Sequence, residues 1–113
     1  MSATPTTPEE EQIAYVNYLT KSHTLQITRV EMIYKQQLAS VQAKYAQQLA
    51  EVEATFVLQI SESSNHRQVR ATYARQLAEV EATAKKIMDD LTAETIDSMR
   101  FMHTVYQQML EII

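Results

Sequence analysis

Ser61-Glu62-Ser63-Ser64-Asn65 is the stretch that decides how this chain folds. It is a polar interruption in what is otherwise one long helical pattern, and the pattern changes phase across it. Upstream, large side chains recur every eleven positions in three parallel rows: Val16, Ile27, Leu38, Leu49, Ile60; then Leu19, Val30, Val41, Val52; then His23, Tyr34, Tyr45, Phe56. The second row fails at Ser63 and the third at Arg67. Downstream the same period returns as His66, Leu77, Met88, Met99, Leu110; then Val69, Val80, Leu91, Met102, Ile113; then Tyr73, Ala84, Thr95, Tyr106.

A repeat of eleven corresponds to about 3.67 residues per turn, a nearly straight helix with a slight right-handed coil. Between Ile60 and His66 the first row advances by six residues instead of eleven. An unbroken helix would swing its apolar stripe by roughly 120° there. A turn avoids this, because folding the chain back lets both stripes face each other.

Residues 43–56 read AKYAQQLAEVEATF and residues 71–84 read ATYARQLAEVEATA, identical at eleven of fourteen positions. The copies lie on either side of the turn, so in a hairpin they run side by side and antiparallel. Their spacing of 28 also fits four heptads, but the eleven-residue rows account for more of the chain. The expectation is an all-α fold: a long antiparallel two-helix hairpin, coiled-coil-like, assembling into a four-helix bundle or larger oligomer.

Composition agrees. The 113 residues suit one domain or one subunit of an assembly. The chain has no glycine, no cysteine and no tryptophan, and both prolines lie within the first eight residues. Without glycine, tight left-handed turns and phosphate-cradling loops are disfavoured. Without cysteine there are no disulfides and no thiolate chemistry. A net charge of −4 argues against nucleic-acid binding, which calls for a basic face. The longest run of large apolar residues, Phe56-Val57-Leu58, is far too short to cross a membrane. Residues 1–12 are polar and acidic, unlike a secretory leader, and the expected location is cytoplasmic.

Residues 1–6 read as a disordered tail and 7–113 as a single helical-hairpin domain. Thr7-Pro8-Glu9-Glu10 is a helix start: a capping threonine, a proline preset for the first helical position, and a glutamate placed to close a capping box. Helix one is expected over about 8–61, roughly 80 Å at 1.5 Å per residue. The turn is expected over 62–65 and helix two over 66–111. Asn65 is the expected N-cap of helix two, with Gln68 as its capping-box partner, and asparagine tolerates the left-handed backbone that helix ends often need. Arg75 opposite Glu51 and Glu53, and Lys44 opposite Glu79 and Glu81, would add cross-hairpin charge complementarity. Exposed pairs contribute only about 0.2–1 kcal/mol each, so the apolar rows set the register.

Chemistry is thin. His23 and His103 are placed to approach one another, but the direct reading is a histidine standing in for an aromatic in the third row. The Glu-x-x-His motif of di-iron bundles is absent, as are a nucleophile–base pair and a glycine-rich loop. The tyrosines on the rows and the six methionines read as core fillers. The expectation is a non-enzymatic protein without metal or cofactor.

A second apolar stripe remains. Ile13, Tyr15, Tyr18, Leu25, Met32 and Ile33 early in helix one, and Ile96, Phe101, Val105, Met109 and Ile112 late in helix two, lie off the main rows. Soluble monomers rarely expose large apolar patches, so this open end is the expected binding surface, with Tyr15, Tyr18, Ile33, Phe101, Val105 and Met109 as its interface residues. The expected partner is a second copy, a homo-oligomer and foremost a dimer. The alternative is a peripheral coat or adaptor that lays this face on a membrane, a granule or a partner protein.

Overall fold

The computed structural model describes residues 7–112, and the tail expected over 1–6 lies outside them. Two helices account for nearly all of the described residues: α1, Pro8–Glu62, and α2, His66–Ile112, joined by Ser63, Ser64 and Asn65. No strand occurs among the described residues. The fold is an all-α helical hairpin.

Each helix start is built by its own side chains. The Glu10 backbone N–H donates to Thr7 Oγ1 at 3.1 Å, and the Thr7 N–H reaches back to Glu10 Oε2 at 3.4 Å. This is the reciprocal capping box, with Pro8 at the position where a missing N–H costs nothing. At α2 the Gln68 N–H donates to Asn65 Oδ1 at 3.2 Å. The return half differs from the standard box. The Asn65 backbone N–H goes to Ser63 Oγ at 3.1 Å, while its side-chain amide donates to Gln68 Oε1 at 3.2 Å. Ser63 therefore serves the turn from both sides, since its own N–H continues the α1 ladder to the Gln59 carbonyl at 2.9 Å.

The turn also corrects the expected backbone. No described residue has positive φ, so Asn65 does not use the left-handed region. Serine hydroxyls take over what a glycine would have done: Ser61 Oγ donates to the Leu58 carbonyl at 2.8 Å, and Ser63 Oγ accepts from Asn65.

The described residues group into two compact units, one made of those up to 33 together with 94–112, the other of 34–93. In both units the eleven-residue rows form the seam. Every described row residue is half-buried or buried except His66, which is exposed as the first residue of α2, where the chain has only just left the turn. Leu19 and Ala84 are the only fully buried apolar residues described, each 5% exposed. Two helices can enclose little more than one line of side chains between them, and flanking positions stay partly wet.

In the unit of 34–93 the two copies of the repeated segment lie against each other. Phe56, the last residue of the first copy, stacks on Tyr73, the third of the second, with ring centroids 4.2 Å apart. At the far end of this unit the Tyr34 and Thr92 hydroxyls hydrogen-bond at 3.1 Å, and Thr92 also donates to the Met88 carbonyl. The expected charge complementarity across the helices is replaced by a local pair. Arg75 meets Glu79 of its own helix at 4.0 Å, and both side chains are well exposed. Neighbours four apart on one helix meet without fixing any inter-helix geometry, so this pair adds nothing to register.

Because Phe56 holds the stack beside the turn, Phe56→Ala should cost about 3 kcal/mol, measured by urea unfolding at fixed protein concentration. Leu58→Ala, at an exposed neighbour, should stay within about 0.5 kcal/mol.

Candidate functional site

The unit of residues 7–33 and 94–112 carries most of the chain's unusual surface. Its seam contains a polar–aromatic cluster. His23, in the row that elsewhere holds Tyr34, Tyr45 and Phe56, stacks flat on Tyr106, with centroids 4.4 Å apart and planes 7° from parallel. His103 lies tilted beside it at 5.7 Å. The Tyr106 hydroxyl shares a 2.9 Å hydrogen bond with Thr20 Oγ1, which also donates to the Val16 carbonyl. Thr24 and Thr28 repeat that backward bond to the carbonyls of Thr20 and Thr24. Spaced four apart, these threonines form one hydroxyl-lined edge whose donors are satisfied within α1.

His23 Nδ1 is buried without a hydrogen-bond partner. An orphaned buried polar atom of this kind costs about 1–3 kcal/mol, and an aromatic hydrocarbon ring at the same place would avoid the cost. No group of three or more His, Cys, Asp or Glu that could hold an ion occurs among the described residues, whereas catalytic zinc takes three protein ligands.

Beside this cluster lies a cleft of about 180 Å³, whose lining includes Tyr18, Leu19, His23, Val105, Tyr106 and Met109. It brings together three of the residues expected at the interface: Tyr18 from α1, Val105 and Met109 from α2. The second stripes of the two helices therefore open on the same side of this unit. Tyr15, Ile33 and Phe101 do not line the cleft but are exposed, Phe101 at 70%. Val105 is half-buried, more deeply placed than the other five. On α2, Phe101, Val105, Met109 and Ile112 follow i, i+4, i+8, i+11 spacing, one continuous stripe along the helix.

The cluster's polar members were hard to foresee. Ser22 and Gln26 also line the cleft, and only helical phase relative to Leu19 and His23 could have pointed to them. The Thr20–Tyr106 bond links residues 86 positions apart and leaves no local signal.

Comparison with protein-family models, with curated proteins and with solved structures finds no match. No helix among the described residues is long and apolar enough to cross a membrane.

His23→Phe should keep the stack on Tyr106 and remove the orphaned nitrogen. The expected result is a gain of about 1 kcal/mol in urea unfolding. A loss of stability would mean that Nδ1 has a partner in solution.

Proposed function

We propose that this chain is a non-enzymatic interaction module that self-associates through the apolar face of residues 7–33 and 94–112. The observation that carries the reading is where exposed apolar side chains lie. Among the described residues, ten large hydrophobics are exposed in this unit: Ile13, Tyr15, Tyr18, Leu25, Met32, Ile33, Ile96, Phe101, Met109 and Ile112. Only Val57, Leu58 and Ile87 are exposed in the other, which contributes more of the described residues. The excess belongs to one unit, so it is not the general consequence of a thin core.

Burying one aromatic side chain removes about 150–250 Å² from water, and Tyr15, Tyr18 and Phe101 are all available for it. A second copy is the simplest cover. A two-fold assembly matches an apolar patch with itself and needs no further partner, and two helical hairpins give the four chains of a bundle. The hydroxyl edge of Thr20, Thr24 and Thr28 borders this surface without competing for it, since those donors are already bonded within the helix.

The test is solution mass by sedimentation velocity over a concentration series. The proposal expects at least two chains per particle. It also expects the double variant Phe101→Glu, Val105→Glu to run as a monomer that stays helical by circular dichroism. A wild-type monomer at all concentrations would overturn it, and gain of helix on lipid vesicles by that monomer would favour the coat reading instead.

A further inference from the structure

The apolar face of residues 7–33 and 94–112 also carries charges, and their placement bears on how a second copy sits upon it. On α1, Tyr15, Tyr18, Ser22, Gln26, Arg29 and Ile33 are spaced three and four apart. On α2, Glu94, Asp97, Phe101, Val105, Met109 and Ile112 are spaced in the same way. Such spacing keeps each set on one side of its helix. The two sets open on the same side of the unit, since Tyr18, Ser22 and Gln26 line one cleft with Val105 and Met109.

Contacts across the seam set the levels. Tyr106 meets both Thr20 and His23, and His103 also lies beside His23. The helices run antiparallel, so each step along α1 is matched by a step back along α2. Tyr15 then stands level with Ile112, Tyr18 with Met109, and Arg29 with Asp97, with Glu94 one turn further on. Arg29 is the one charge of the α1 set, and Glu94 and Asp97 are the two of the α2 set. All three are exposed, and none forms an ion pair with any described residue. Lys21, Glu31, Arg100 and Glu111 fall roughly 100° or more from the middle of the set on their helix. The face is therefore apolar at one end, and at the other it carries a cation on α1 and two anions on α2.

We propose that the second copy docks with the two-fold axis parallel to the helices, so that α1 of each chain lies along α2 of the other and Arg29 faces Asp97 and Glu94 of the second copy. This rests on the self-association reading and adds its orientation. An axis in that direction keeps every level opposite itself. Tyr15 and Tyr18 then meet Ile112 and Met109 of the other chain, and the arginine meets the two carboxylates twice by symmetry. Neighbouring helices all run in opposite directions, the up-and-down order of simple bundles, with their dipoles opposed. An axis across the helices, through the middle of the face, would instead lay α2 on α2 and invert the levels. Asp97 would then lie on Met109 and Glu94 on Ile112, and carboxylates would be covered with no cation beside them, a costly arrangement.

The experiment is charge reversal in the full chain, read by sedimentation. Arg29→Glu alone, and Glu94→Lys with Asp97→Lys alone, each set like charges against one another and should weaken association about tenfold. An equimolar mixture of the two variants should associate as tightly as the wild type. In the mixed pair the reversed position 29 faces the reversed positions 94 and 97, and the native arginine faces the native acids. All three positions are exposed, so circular dichroism should show wild-type helix content in each variant. Should a variant lose helix, cysteines decide the point. Tyr18→Cys chains mixed with Met109→Cys chains should cross-link on mild oxidation faster than either does alone. A wild type that stays monomeric overturns the self-association reading and the orientation with it. A wild type that associates overturns the orientation alone if the variants associate equally well, if their mixture is no tighter than its parts, or if the mixed cysteine chains gain no cross-linking.

Discussion

A pair of helices can bury one line of side chains on each partner and no more. Everything else in this protein follows from that limit. The eleven-residue rows fill the line so consistently that, of their described members, only His66 escapes it. Even so, just Leu19 and Ala84 are fully enclosed. Stability in such a fold is spread thinly along the seam and is not gathered in a core. Single contacts such as the Phe56–Tyr73 stack and the Tyr34–Thr92 hydroxyl pair matter more than they would in a globular domain.

The same limit separates the two units by what their outer surfaces do. In residues 34–93 the positions away from the seam are mostly polar, with Gln47 bonded to Glu51 and Arg75 to Glu79 along their own helices. That surface is finished with respect to water. In residues 7–33 and 94–112 the off-seam positions carry Tyr18, Phe101 and their apolar neighbours. That surface leaves large apolar side chains open to water. The contrast within one chain, under one packing rule, is what supports the proposed self-association through the apolar face. The His23 site adds to it: a histidine with an unsatisfied buried nitrogen sits where the row elsewhere uses tyrosine or phenylalanine. A local rule is broken there beside the exposed face, and such breaks tend to gather at functional places.

Much of the fold was legible because the period of large side chains directly encodes which face of a helix is covered. The turn was legible from the change of phase between Ile60 and His66, and the helix starts from Thr7-Pro8-Glu9-Glu10 and Asn65. Backbone detail at the turn was not. Asparagine suggested a left-handed residue, yet serine hydroxyls satisfied the same groups with ordinary φ values. Charge pairing was not legible either. Arg75 could reach a glutamate on its own helix or on the neighbour, and flexible exposed side chains leave that choice to local geometry. The repeat and its antiparallel pairing were visible in the sequence, but that the Phe56 ring stacks on Tyr73 needed the structure. The exposed stripe could be named from the sequence. That Tyr18, Val105 and Met109 share one cleft with His23 could not.

The account rests on the two repeated segments pairing within one chain, and a distance measures that most directly. The chain has no cysteine, so cysteines introduced for spin labels at Gln47 and Ala82, both exposed and in opposite copies, would be the only ones present. With doubly labelled protein diluted into unlabelled protein, dipolar spectroscopy reports the separation within a single chain. Packed helices have axes about 8–10 Å apart, so the account predicts a short, narrow distribution. A distance near 50 Å, roughly that of the same residues along one continuous helix at 1.5 Å per residue, would contradict it.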